Sequence, residues 1–149
     1  MWHWPGSFGK HLLTMTSIYE RFGGEQFFAD LVRGFYSRVH DDPVLRPMYP
    51  SELDPAERRL RLFLMQYFGG PSTYDKERGH PRLRLRHMNF VIDQRARDIW
   101  LNHMFASLDD LLATGELSIP VEDLETLREY LRDTSQFLVN HGGLSISRR

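Results

Sequence analysis

Apolar side chains in this chain recur at spacings of three and four, and no stretch of useful length alternates with the period of a strand. That regularity points to an all-α fold, because a helix must bury an apolar stripe against another element. Between Glu25 and Val39, the residues Phe28, Leu31, Val32, Phe35, Tyr36 and Val39 fall on one side of a helix. Ala56, Leu60, Phe63 and Tyr67 form a second stripe, and Ala96, Trp100, Met104, Leu108 and Leu111 a third. Leu124, Leu127, Leu131, Thr134 and Leu138 form a fourth. Four such helices can stack up and down as a bundle or cross at larger angles, and periodicity does not choose between the two.

Glycine, proline and capping residues punctuate these stripes. Ser17 to Phe22 predicts a short helix, stopped at Gly23-Gly24. Asp41-Asp42-Pro43 closes the first long helix, and residues 44–49 leave room for one or two turns. Asp54-Pro55-Ala56-Glu57 reads as a helix start, with Asp54 as the cap, Pro55 at the first helical position and Glu57 completing a capping box. Gly69-Gly70-Pro71 ends that helix, residues 71–81 read as a loop, and a short helical stretch holds Leu83 and His87. Asp93 is placed to cap the long helix that runs to Gly115. The last helix is expected over Pro120 to Asn140, closed by Gly142-Gly143. Residues 16–142 thus form one domain, with an extension at 1–15 and a polar, basic tail at 143–149. Trp2, Trp4 and Phe8 in the extension suit either a loosely ordered tail or a segment that packs onto a groove or a partner.

Composition removes several function classes. The 149 residues contain no cysteine, so disulfides, thiolate-bound metals and covalently attached heme of the c type are excluded. The net charge of −1 argues against nucleic acid or an anionic membrane as a partner. No apolar run approaches the roughly 20 residues of a membrane helix, and the first residues lack the pattern of a secretion signal. A cytoplasmic location is the expectation. No catalytic triad and no phosphate-binding glycine loop after a strand are present.

Seven histidines remain as candidates. His3 and His11 lie in the extension, His40 and His141 at helix ends, His80 before Pro81 in a loop, and His103 beside the Trp100/Met104 stripe as a half-buried residue. His87 differs in its setting, Arg82-Leu83-Arg84-Leu85-Arg86-His87. An imidazole for iron, apolar walls for a porphyrin and cations for its propionates are what a heme requires. The commoner meaning of a lone histidine after a basic run is still a solvated helix face, and the arginines of 78–86 also suit an anion or RNA patch. Tyr36, Tyr49 and Trp100 each carry a donor on an aromatic body and would be ordinary core residues unless they converge on a ligand.

Longer motifs decide between these readings. Phe35-Tyr36, Pro47-Met48-Tyr49-Pro50, the run Phe63 to Pro71, the run Gly79 to His87, Trp100-Leu101 and Leu138-Val139-Asn140 stand in order along the chain. With them, the sequence over residues 17–141 resembles group II truncated hemoglobins, two-over-two globins found widely in bacteria. The resemblance implies a two-over-two helical sandwich around a b-type heme, with His87 as the iron ligand. It implies Tyr36, Tyr49 and Trp100 as distal donors, and Leu60 and Phe63 as cavity lining. Arg59 matches the family's basic residue near a propionate, and Arg84 and Arg86 are added because they stand close to His87. Ala56 falls where classical hemoglobins place a distal histidine, and residues 51–68 contain no histidine, so that role is not filled in the usual way. Two features depart from the family. The extension at 1–15 lies outside the family core, and Phe68 stands where relatives often have Trp. Tyr36 and Tyr49 match a pair that some relatives cross-link.

Three functions follow from the resemblance. One is reversible binding of dioxygen, CO or NO with strong oxygen retention, as a carrier or scavenger. Another is redox catalysis, as nitric oxide dioxygenation or peroxidase-like turnover served by an external reductase. The third is gas or redox sensing, with the extension as the coupling element. Homodimerisation is left open, and a heme-free helical domain is the alternative to all three.

Overall fold

A computed structural model describes residues 16–141, and the extension, the tail and Gly142-Gly143 lie outside the described residues. The helices are α1 (Ile18–Phe22), α2 (Glu25–His40), α3 (Asp54–Tyr67), α4 (Thr73–Arg78), α5 (Leu83–Arg86), α6 (Gln94–Ala113) and α7 (Val121–Phe137), with a 3₁₀ turn at Arg46–Met48. Among the described residues there is no strand, and no helix is long and apolar enough to cross a membrane.

Helix α2 is the centre of the core. Phe28, Leu31, Val32, Phe35 and Val39, the stripe read from the sequence, have no exposed surface. Burying five such side chains stabilises the fold by roughly 1.5–3 kcal/mol each. The helix packs on α6 and on α3, and α6 packs in turn on α7. Two helix pairs, α2/α3 and α6/α7, are thus layered one over the other. Gly34 permits the close α2/α6 crossing: a Cβ there would lie 2.3 Å from the Ser107 Oγ. That hydroxyl is buried and donates to the Leu31 carbonyl at 2.7 Å, so it has little freedom to move aside.

Helix α1 stops at Gly23 as the sequence predicts, and its start is capped. The Ser17 side chain and Glu20 form a reciprocal capping box, and Gly23 ends the helix in a left-handed conformation. Its Arg21 holds the buried Asp123 of α7 through two bonds of 2.7 and 3.1 Å. The Tyr19 amide donates to the Phe68 carbonyl at 2.9 Å. Gly69, at φ +100°, does more than stop α3: a Cβ there would lie 2.6 Å from Ser17 Cβ, so the glycine lets α1 dock.

Three element expectations are corrected. Helix α3 takes Leu53 as its cap, and no side chain caps it, so the capping box of Asp54 and Glu57 does not form. Leu53 already has helical backbone angles and its carbonyl accepts from the Glu57 amide at 2.9 Å. Asp54 and Glu57 therefore act only as charges on the first turn. The predicted loop 71–81 contains α4, too short for periodicity to reveal, which is anchored by the buried Tyr74 against Phe63 with ring centroids 5.5 Å apart. Helix α7 ends at Phe137 rather than Asn140, because residues 140 and 141 turn to bond the Ile92 carbonyl.

Candidate heme site

A cavity of about 370 Å³ lies between the helices, within the usual range for a cofactor site. Its lining is mainly apolar, and the stripe Ala56, Leu60 and Phe63 of α3 faces into it. Periodicity alone reads these positions as core, whereas the resemblance implies Leu60 and Phe63 as cavity lining, and all three positions border the cavity.

His87 enters the cavity from the end of α5. Its Nδ1 lies 2.6 Å from the Leu83 carbonyl. A carbonyl only accepts, so Nδ1 carries a proton, and in the neutral ring the lone pair then lies on Nε2. This is the arrangement in which a histidine serves as a metal ligand, with its second nitrogen oriented by a hydrogen bond. Among the described residues no three His, Asp or Glu side chains cluster to hold a bare ion. One oriented imidazole in an apolar cavity suits a metal that brings its own macrocycle.

The segment that carries His87 is held by backbone-directed bonds. Arg86 donates to the carbonyls of Pro81 (2.8 Å) and Arg78 (3.1 Å). Asn140 clamps the other side: its Oδ1 accepts from the Ile92 amide at 2.8 Å, and its Nδ2 donates to the carbonyls of Phe90 at 2.8 Å and His87 at 3.3 Å. Arg82 turns the chain into α5 with φ +46°, its amide bonded to His80 Nδ1 at 3.1 Å. His80 thus braces its loop.

Tyr36, Tyr49 and Trp100 also line the cavity and meet one another. The Tyr36 and Tyr49 rings form an edge-to-face pair with centroids 5.6 Å apart. Phe35, fully buried, packs edge-on against both Tyr36 and Trp100. Burial pushes the Tyr36 hydroxyl well above the ordinary tyrosine value, and the neighbouring Tyr49 adds to the rise. Burial raises Tyr49 too, against the opposing hydrogen-bonding influence of Trp100 and Tyr36. Both hydroxyls therefore keep their protons, and both remain donors.

The loop bearing Tyr49 is fixed from two directions. Arg46 donates to the carbonyls of Pro50 (2.9 Å) and Ser51 (2.8 Å). His103 of α6 bonds Asp42 at 2.7 Å. The same carboxylate accepts from the amides of Val44 and Leu45, at 2.8 and 2.9 Å. Burial pushes the Asp42 carboxyl up, but those amides and His103 outweigh it and hold it below its usual value. His103 is half-buried as expected, and its partner explains why.

Four arginines line the cavity, Arg59, Arg78, Arg86 and Arg97, and no carboxylate does. Arg59 makes no ion pair among the described residues, so its charge is available to a ligand. Arg84 is not in the lining; its guanidinium lies 4.8 Å from the centre of the Phe137 ring. Arg78 is read from the sequence only as part of the 78–86 anion or RNA patch, and Arg97 is missed because it lies on a long helix beside the Trp100 stripe. An apolar, electropositive cavity with one oriented imidazole fits a flat apolar molecule carrying anionic groups, as heme does.

Fold and site together define a helical protein with a cavity suited to heme. Residues 17–133 match the bacterial-like globin family. A group 2 truncated hemoglobin of Bacillus subtilis is 43% identical over 94 residues, 63% of this chain and 71% of that protein. The structure of a thermostable hemoglobin from Thermobifida fusca has a TM-score of 0.78 at 51% identity, covering 84% of this chain and 98% of that one. The truncated oxygen-avid haemoglobin from Bacillus subtilis has a TM-score of 0.75 at 38% identity, covering 84% and 100%. The chain belongs to the bacterial-like globins and, within them, to the group II truncated hemoglobins. Membership implies a heme-based site for small gaseous ligands.

Proposed function

We propose that this protein binds dioxygen at a b-type heme held by His87 and releases it slowly. The observation that carries the reading is that one cavity holds both the oriented His87 imidazole and the protonated Tyr36/Tyr49/Trp100 group. Heme supplies an iron that takes the imidazole and a diatomic ligand. Arg59 and Arg86 are assigned to its propionates, and Leu60 and Phe63 to its apolar packing. Ala56, being small, leaves the space beside the ligand open.

Dioxygen that gains negative charge on binding is stabilised by donors aimed at it. A bond of this charge-assisted kind contributes roughly 1.5–3 kcal/mol. Trp100→Phe keeps the packing against Phe35 and removes one donor. Oxygen dissociation measured by stopped flow should then accelerate about tenfold or more, since each 1.4 kcal/mol is about a factor of ten. An unchanged rate, or a wild-type rate as fast as that of an oxygen-delivery globin, overturns the proposal. The relative described as oxygen-avid supports it. Slow release suits scavenging or redox use in preference to delivery, with electrons supplied by an external reductase.

A further inference from the structure

Tyrosine side chains join the cavity to the outer surface. Tyr130 of α7 lines the cavity and is half-buried. Tyr67, the last residue of α3, is 54% exposed. Their rings stack with centroids 3.8 Å apart and planes at 26°. Phe68 holds the stack from the side, edge-on to Tyr67 at 5.0 Å and to Tyr130 at 5.6 Å. Phe68 is itself buried. The helical stripe predicts Tyr67 on the same face as Ala56, Leu60 and Phe63, which line the cavity. Tyr67 instead lies at the surface against a residue of that lining.

The geometry points to an external oxidation site at Tyr67, where phenols and aromatic amines too large for the cavity give up single electrons that pass through Tyr130 inward, with peroxide as the oxidant. The inference rests on the heme reading above and goes beyond oxygen binding. Hydrogen peroxide takes up two electrons and two protons and becomes two waters. Each electron is drawn from Tyr67 across the stacked Tyr130 ring. Tyr67 is open to water, so its hydroxyl proton leaves to solvent as the electron leaves. A phenol at the surface then returns one electron and one proton and becomes a phenoxyl radical. Two phenols are consumed per peroxide, and both tyrosines end unchanged. The two rings have separate tasks because their surroundings differ. Burial raises the Tyr130 hydroxyl to about 12, so a charged state is disfavoured there, and the oxidising equivalent rests on the exposed ring.

The test uses ferric holoprotein, stoichiometric hydrogen peroxide and two donors. One is a small phenol that fits the cavity; the other is tyramine coupled to dextran, which does not. Wild type should show a tyrosyl signal by freeze-quench electron paramagnetic resonance. Without donor it should form covalent dimers whose cross-linked peptide contains Tyr67. Tyr67→Phe should lose the dimer and the turnover of the dextran conjugate, while the small phenol is still oxidised and oxygen still binds. Tyr130→Leu, which leaves Tyr67 in place but removes the bridge, should lose the Tyr67 modification. Undiminished turnover of the conjugate by Tyr67→Phe overturns the inference, as does a radical located on other tyrosines or peroxide consumed with no tyrosyl signal. The Soret band of the same samples, and their oxygen affinity after reduction, separate the two readings. Absence of heme defeats the proposed function, whereas intact heme without Tyr67 oxidation defeats only this one.

Discussion

Tyr36 is 6% exposed and packs against fully buried Phe35, whereas Leu85, Met88 and Val91 around His87 are 57, 66 and 62% exposed. Tyr36 and His87 border the same cavity, yet the segments that carry them are held in different ways. The donor side is rooted in α2 and α6, the two helices that form most of the core, and its loop is tied down by Arg46 and by Asp42–His103. The His87 side is a four-residue helix and a loop, held by Arg86, Asn140 and the His87–Leu83 bond. Donors must be in place before a ligand arrives, because reorganising them would consume the energy they provide. The segment that grips a prosthetic group gains its packing from that group.

The comparison is broken most directly at His87. With His87→Ala, the Soret band and its shift on reduction and CO addition should be lost or altered; an unchanged spectrum refutes the assignment. Stripping heme from wild type should speed amide hydrogen exchange over residues 79–92 and leave α2 and the first half of α6 protected. Equal loss of protection in both regions would mean that the two sides do not differ.

Asn140→Ala removes three side-chain bonds to that segment, and a net cost of about 1–3 kcal/mol is expected in chemical denaturation. Exchange at residues 87–92 should rise with it. Asn140→Asp keeps an acceptor for the Ile92 amide but loses both donations, so its cost should fall between those of wild type and Asn140→Ala. On the donor side, Ala56→Trp fills the open space beside the ligand. CO association should slow with little change in oxygen dissociation; unchanged association would show that ligands reach the cavity elsewhere.

The smallest effect is in alkaline solution. Of six tyrosines, Tyr36 and Tyr49 are held protonated above the ordinary value of about 10. An ultraviolet tyrosinate titration should therefore show fewer than six ionisations near pH 10, with Tyr130 following at about 12. The unfolded chain ionises these groups near 10, so the folded state binds protons more tightly above that pH. Stability from these groups is complete below about 10 and declines as pH rises from there through the folded values. A full set of ionisations at pH 10 in folded protein would mean that the donor side is open to water.

Much of this was legible in the chain itself. The α2 stripe, the Asp93 cap and the stop at Gly23 appear where the residues place them, since caps and periodicity are local properties. The motifs around His87, Tyr36, Tyr49 and Trp100 were readable as a resemblance, and all four side chains border one cavity. Helix α4 was not readable, because six residues hold less than two turns and its burial depends on a contact between Tyr74 and Phe63.

By itself the sequence determined an all-helical chain, its apolar stripes, its family and its single well-placed imidazole. The tertiary structure decided which stripes face core and which face a cavity. It turned Ala56, Leu60 and Phe63 into a wall, sent Tyr67 outward onto Tyr130, and brought Asn140 back 53 residues to the His87 carbonyl. The reason is physical. Periodicity records that a face is apolar, but only the crossing of α2 over α6, close enough to need Gly34, sets where the packed helices leave room.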